Sequence, residues 1–194
     1  MKNYLKYYWL EKDFFPEIYN FFHKEKCLTS EHFFSIITWK SIRPRERIKR
    51  GLLVNGESLD EAVRVLTKRI YEAPSKEEKL GVLIGDGNNK KQVGFRLAMA
   101  SAILAVLYPR DFTVYDFRVR SQLVNPKNDT LEYPDITGYK KVIKKYLYEY
   151  IPQVLQEGRS LAKNPKLSLR DCDRFLWAKD WHEDLQEFIC NRKT

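Results

Sequence analysis

Apolar side chains recur along this chain at three- and four-residue intervals, the spacing that puts them on one face of an α-helix. Within residues 2–41 the pattern runs Tyr4, Tyr7, Tyr8 and Leu10, then Phe14, Ile18, Phe21 and Phe22, then Phe33, Phe34, Ile37 and Trp39. Asp13 is placed to cap the second run, with Pro16 in its first turn, and Thr29 or Ser30 to open the third. Trp39 to Arg45 closes that third run as a basic turn. Ser58-Leu59-Asp60-Glu61 and Ser75-Lys76-Glu77-Glu78 are capping boxes that open two further helices. The first stops before Pro74, and the second leads into the Gly85–Lys91 loop.

Gly94 to Arg120 is the stretch around which the rest is arranged. Its small-residue run, Ala98-Met99-Ala100-Ser101-Ala102, passes into Ile103, Leu104, Val106 and Leu107, and Pro109 ends that helix. Asp111 or Thr113 is placed to cap the next element. Val114-Tyr115-Asp116-Phe117 has the β-branched and aromatic content of a strand, but no second strand exists to pair with it. It is therefore expected to be a turn running into a helix through Leu123. Tyr139 to Ile151 then marks a long amphipathic helix, which Pro152 should kink or divide, with Lys140, Lys141, Lys144 and Lys145 on its other face. Ser168-Leu169-Arg170-Asp171 caps a helix carrying Cys172 to Trp177, and Trp181 to Lys193 reads as a short closing helix with a frayed tail. The pattern predicts an all-α fold, a compact two-lobed helical bundle in one domain spanning residues 1–194, with residues 75–124 at its core.

Composition narrows the function classes. The 194 residues are 43% hydrophobic, enough to bury a core and to set the chain apart from disordered sequences. No apolar run approaches the roughly 18 residues of a membrane span. The first fifteen residues carry charges throughout, unlike the apolar core of a signal peptide. Cys27, Cys172 and Cys190 are odd in number and far apart, which suits the reduced thiols of a cytoplasmic protein and forms no zinc-ribbon pattern. The net charge of +9 is the electrostatic footprint of a nucleic-acid binder, for which a nucleoid location follows in a bacterial cell.

Candidate chemistry is sparse. There is no GxSxG elbow, HExxH helix or paired CxxC motif, and Gly85-Asp86-Gly87 lacks the rest of a P-loop. His23, His32 and His182 are scattered, so no metal or other cofactor is expected. Asp116 remains: a carboxylate set among apolar and aromatic residues and followed by Arg118 and Arg120. Trp39, beside Lys40, Arg43, Arg45 and Arg47, reads either as a stacking and phosphate-binding surface or as a buried ring next to a solvated turn. Asp173 and Trp177 share a helix face, and a hydrogen-bonding role for that carboxylate is the plain reading.

Gly94-Phe95-Arg96-Leu97-Ala98-Met99-Ala100-Ser101-Ala102-Ile103-Leu104 resembles the hairpin and second helix of the helix-hairpin-helix DNA glycosylase superfamily. Val114-Tyr115-Asp116-Phe117-Arg118-Val119-Arg120 resembles the segment that bears that superfamily's catalytic aspartate, a Val-x-Asp core followed by basic residues. The likeness covers residues 75–124. Over the closing helices, Arg170, Asp173 and Trp177 resemble uncharacterised bacterial members. It implies a hairpin that anchors a DNA phosphate, a nucleotide rotated into a pocket, and Asp116 either stabilising positive charge on the deoxyribose or orienting the water that attacks it. Lys90, Lys91, Gly94 and Arg96 would then hold the backbone, Arg118 and Arg120 would assist, and Trp39, Tyr115 and Trp177 would line the base pocket. The family's second hairpin glycine is Arg96 here, and the position of the lysine nucleophile of lyase-active members is Ala98. The resemblance therefore implies a monofunctional N-glycosylase of base excision repair, a hydrolase without a Schiff base or an iron–sulfur cluster. The altered hairpin and the missing lysine favour the alternative, a DNA-binding module that keeps the architecture without the chemistry.

Overall fold

The computed structural model describes residues 11, 14–53, 58–85, 95–123 and 139–190, and no strand forms among them. The fold is all-α and compact. In order, the helices are α1 (Phe14–Glu25), α2 (Ser30–Lys40), α3 (Arg45–Leu52), α4 (Leu59–Glu72), α5 (Lys76–Ile84), α6 (Leu97–Leu107), α7 (Phe117–Ser121) and α8 (Tyr139–Lys145). A π-helical turn, Tyr146–Tyr150, leads into α9 (Ile151–Ala162), and α10 (Leu169–Cys190) comes last. No helix among the described residues is long and apolar enough to cross a membrane.

Helix starts obey the local chemistry. Thr29 caps α2 by accepting from the His32 amide, and Ser58 and Ser75 cap α4 and α5 by accepting from the Glu61 and Glu78 amides. Gly85 ends α5 at φ 87°, a left-handed geometry that a side chain would strain. Asp13, expected as a cap for α1, lies outside the described residues.

Helix α6 is the centre of the molecule. Its side chains are buried on nearly every face, as befits a helix without a polar stripe. It packs against α1, α2 and α5. His23 of α1 donates from Nε2 to the carbonyl of Leu107 at 2.9 Å, closing the C-terminus of α6.

Three features differ from the sequence expectation. The basic turn after Trp39 continues into α3, an eight-residue helix held by only two buried apolar side chains, Ile48 and Leu52. That is too short a stripe to stand out as a period. The closing segment is no separate short helix: α10 runs for 22 residues, because nothing between Trp177 and Trp181 breaks it. The cap for α7 is Asp116 itself, and neither Asp111 nor Thr113.

The chain stays helical from Tyr139 to Ala162, and Pro152 is met by a π-helical turn instead of a break. The proline has no amide hydrogen to donate, and it sits in the first turn of α9 just after the π-turn. There the Ile151 amide reaches back five residues to the Tyr146 carbonyl. Helices α9 and α10 touch at Gly158, where an added Cβ would lie 2.8 Å from the Cys172 Cα. Glycine is required at that crossing by steric contact alone.

Candidate functional site

The route to Asp116 begins with the extended segment Phe112–Tyr115, which has no partner strand among the described residues. Buried backbone groups must be satisfied somewhere, and here side chains do it. Tyr146 accepts from the Thr113 amide at 3.2 Å and donates to the Thr113 carbonyl. Tyr150 donates to the Val114 carbonyl at 2.9 Å. Ser101, from the small-residue face of α6, accepts from the Tyr115 amide at 2.9 Å. Burial pushes both tyrosine hydroxyls well above the usual phenol range, so they remain donors. The π-turn and α6 thus clamp the segment from two directions and deliver Asp116 to a fixed place.

Asp116 uses both carboxylate oxygens. Oδ1 accepts from the Arg118 amide at 3.0 Å, capping α7. Oδ2 pairs with Nζ of Lys40, the last residue of α2. The carboxylate is 14% exposed, neither sealed in the core nor free on the surface. It opens on a cleft of about 290 Å³ walled by Trp39, Val114, Phe117 and Trp177. Lys40, Arg118, Arg170, Arg174 and Asp173 supply the polar lining.

Each tryptophan of the cleft stands under a guanidinium. The Arg170 carbon lies 5.8 Å from the Trp39 ring, and the Arg118 carbon 5.8 Å from the Trp177 ring. Trp39 also packs edge-on to Phe15, with centroids 4.7 Å apart. Both indoles are therefore fixed before any ligand arrives.

The cleft's cations are committed to carboxylates. Arg118 reaches Asp180 and Asp184 of α10 at 2.8 Å each. Burial works against its charge, but the two carboxylates prevail and hold it raised. Arg170 pairs with Asp173 and Glu11, and Arg174 reaches Glu11 at 3.0 Å. Glu11, 1% exposed, is the acid that joins the two arginines. Burial holds the Asp173 carboxyl above the usual carboxylate range despite Arg170. A larger hollow of about 680 Å³ shares Arg170 and Arg174 with the cleft, but its walls are Phe15, Pro16, Tyr19 and Pro109, away from Asp116.

Of the residues singled out in the sequence, Trp39, Asp116, Arg118 and Trp177 meet in this cleft. Tyr115 does not line it. Alternation along the extended segment turns its ring into the core against Tyr150, with centroids 5.0 Å apart. Arg120 lies against that ring, 5.2 Å from its centroid. Arg118, expected at a phosphate, faces inward to α10. Lys90, Lys91 and Gly94 lie outside the described residues.

Arg96 is exposed at the start of α6 and lines a separate groove of about 360 Å³. Lys40, Arg43 and Arg47 share that groove, over a floor of Ile48, Phe95 and Met99. Sequence reasoning missed the contact between Lys40 and Asp116, and the place of Arg170 and Arg174 in the cleft. The Arg170–Asp173 spacing was a legible helical pair, whereas Glu11 lies 159 residues from Arg170 and left no local signal.

No family model, curated protein or solved structure matches the chain. The resemblance to the helix-hairpin-helix glycosylases is one of sequence alone, over Gly94–Leu104 and Val114–Arg120.

Proposed function

We propose that this chain is a DNA-binding protein of the helix-hairpin-helix glycosylase type, acting as a monofunctional N-glycosylase on a damaged or modified base. One observation carries the reading: Asp116 is held at the wall of a cleft between two pre-fixed tryptophans. A volume of about 290 Å³ is at the small end for ligand sites, roughly 300–1,000 Å³, and suits one extruded nucleobase. The indoles offer stacking faces for that base. As the glycosidic bond breaks, positive charge develops on the deoxyribose, and a pre-oriented carboxylate lowers the energy of that state. Asp116 is the catalytic residue in this scheme. Lys40 and the Arg118 amide set its direction.

The test is incubation of the protein with duplexes carrying a panel of base lesions, followed by alkali to cut abasic sites. Scission on at least one lesion that disappears in Asp116→Asn is the expected result. No scission above that variant on any lesion overturns the enzymatic reading.

A second reading is favoured by the same carboxylate's two structural tasks. Asp116 caps α7 and pairs with Lys40, which would preserve it in a DNA-binding module without chemistry. That module binds duplex DNA with a salt dependence that Asp116→Asn leaves intact, and it cleaves none of the lesions.

A further inference from the structure

The α2–α3 corner gathers cations around one groove. Arg43 and Arg47 line it together with Lys40 and Arg96, and no carboxylate is among the described residues lining it. Arg43 and Arg47 are exposed and have no ion-pair partner among the described residues, whereas the neighbouring Arg45 lies 3.8 Å from Glu46. Like charges held side by side repel, and an anionic partner relieves that repulsion. The floor beneath them is apolar, formed by Ile48, Phe95, Ala98 and Met99. A groove with a cationic rim and an apolar bed matches a chain of phosphates linked by sugars better than an isolated small anion. Lys40 also decides the direction of such a chain, because it lines both this groove and the Asp116 cleft.

We propose that the α2–α3 corner is a phosphodiester clamp: Arg43 and Arg47, sharing the groove with Arg96, grip the DNA strand next to the nucleotide held in the cleft. This rests on the DNA reading above and adds a second, separate segment of the chain to it. The strand enters over the apolar bed and turns at Lys40 into the cleft. The guanidiniums contact phosphate, so they contribute affinity without base preference. The clamp replaces, with side chains from another part of the sequence, grip that a two-glycine hairpin would supply through amides.

The experiment is a titration of the full-length protein against a labelled duplex oligonucleotide over a range of potassium chloride concentrations. Arg43→Ala/Arg47→Ala is compared with wild type and with Lys140→Ala/Lys141→Ala, which removes two exposed cations from α8. The clamp variant should bind on the order of tenfold more weakly. Its slope of log affinity against log salt should shrink by about one for each phosphate no longer neutralised. The α8 variant should behave as wild type. If wild type binds DNA and the clamp variant binds it equally with an unchanged slope, the clamp is wrong and the DNA reading stands. If wild type shows no salt-dependent DNA binding, both fall. A parallel arm with anionic phospholipid vesicles completes the test: binding there and none to DNA would assign the groove to a lipid surface and overturn the proposal.

Discussion

The cleft around Asp116 and the groove at the α2–α3 corner share Lys40, yet they treat charge in opposite ways. In the cleft Lys40, Arg118, Arg170 and Arg174 each contact a carboxylate, and Glu11 and Asp173 are nearly inaccessible. In the groove Arg43 and Arg47 stand in solvent without an acidic partner among the described residues. The first arrangement fixes geometry. Paired and buried ions cannot wander, so the tryptophans packed against them and Asp116 beside them keep one orientation. The second arrangement leaves charge available for something outside the chain. Under the proposed function, the first would hold one nucleotide accurately and the second its flanking backbone loosely.

Arg170 is the residue at which the two regions should differ most. Replacing it by Met leaves Asp173 without its cation and Glu11 with Arg174 alone. Urea denaturation should show a loss of about 3–5 kcal/mol, the cost of an uncompensated buried charge. Arg43→Ala/Arg47→Ala should leave the same curve where it was. Equal stability of the two variants would mean that the cleft network is no more structural than the exposed corner.

Trp177→Ala sharpens the distinction by mechanism. Loss of a stacking face costs about 1–3 kcal/mol per base, so binding to a lesion duplex should fall by roughly five- to 150-fold. Trp177→Phe should recover much of it. The salt slope should remain that of wild type, because no cation facing a phosphate has been removed. A change of slope in Trp177→Ala would place this ring on the backbone path instead of the base pocket.

The smallest effect is a pH dependence. Burial holds the folded Asp173 carboxyl above its unfolded value, so the folded chain binds that proton more readily. The stability that this proton uptake contributes is full below the ordinary carboxylate range. It is lost as pH rises through the raised folded value. Asp173→Asn removes this titration. The unfolding free energy of wild type relative to the variant should therefore increase as pH is lowered through that window. A difference that is flat or of opposite slope would contradict the assignment.

Whatever depends on neighbours a few residues apart could be read from the chain without coordinates. Thr29, Ser58 and Ser75 cap helices because a side chain reaches an amide three positions on, and the irregular turn falls beside Pro152 because its ring lacks a donor. Asp116, too, was visible as a carboxylate in an apolar setting. The short helix α3 was not, since two apolar anchors make no pattern, and neither was the continuity of α10.

Residue types, helical periods and local caps thus determined the all-α fold and put forward Asp116, Trp39 and Trp177. Only the tertiary structure decided that Lys40, 76 residues away, would meet Asp116. It also brought Glu11 to Arg170 and turned Tyr115 into the core, although its neighbour faces the cleft. The physical reason is that ion pairing and side-chain direction depend on which surfaces are packed together. Helix packing fixes those surfaces across the whole chain, whereas periodicity records only one helix at a time.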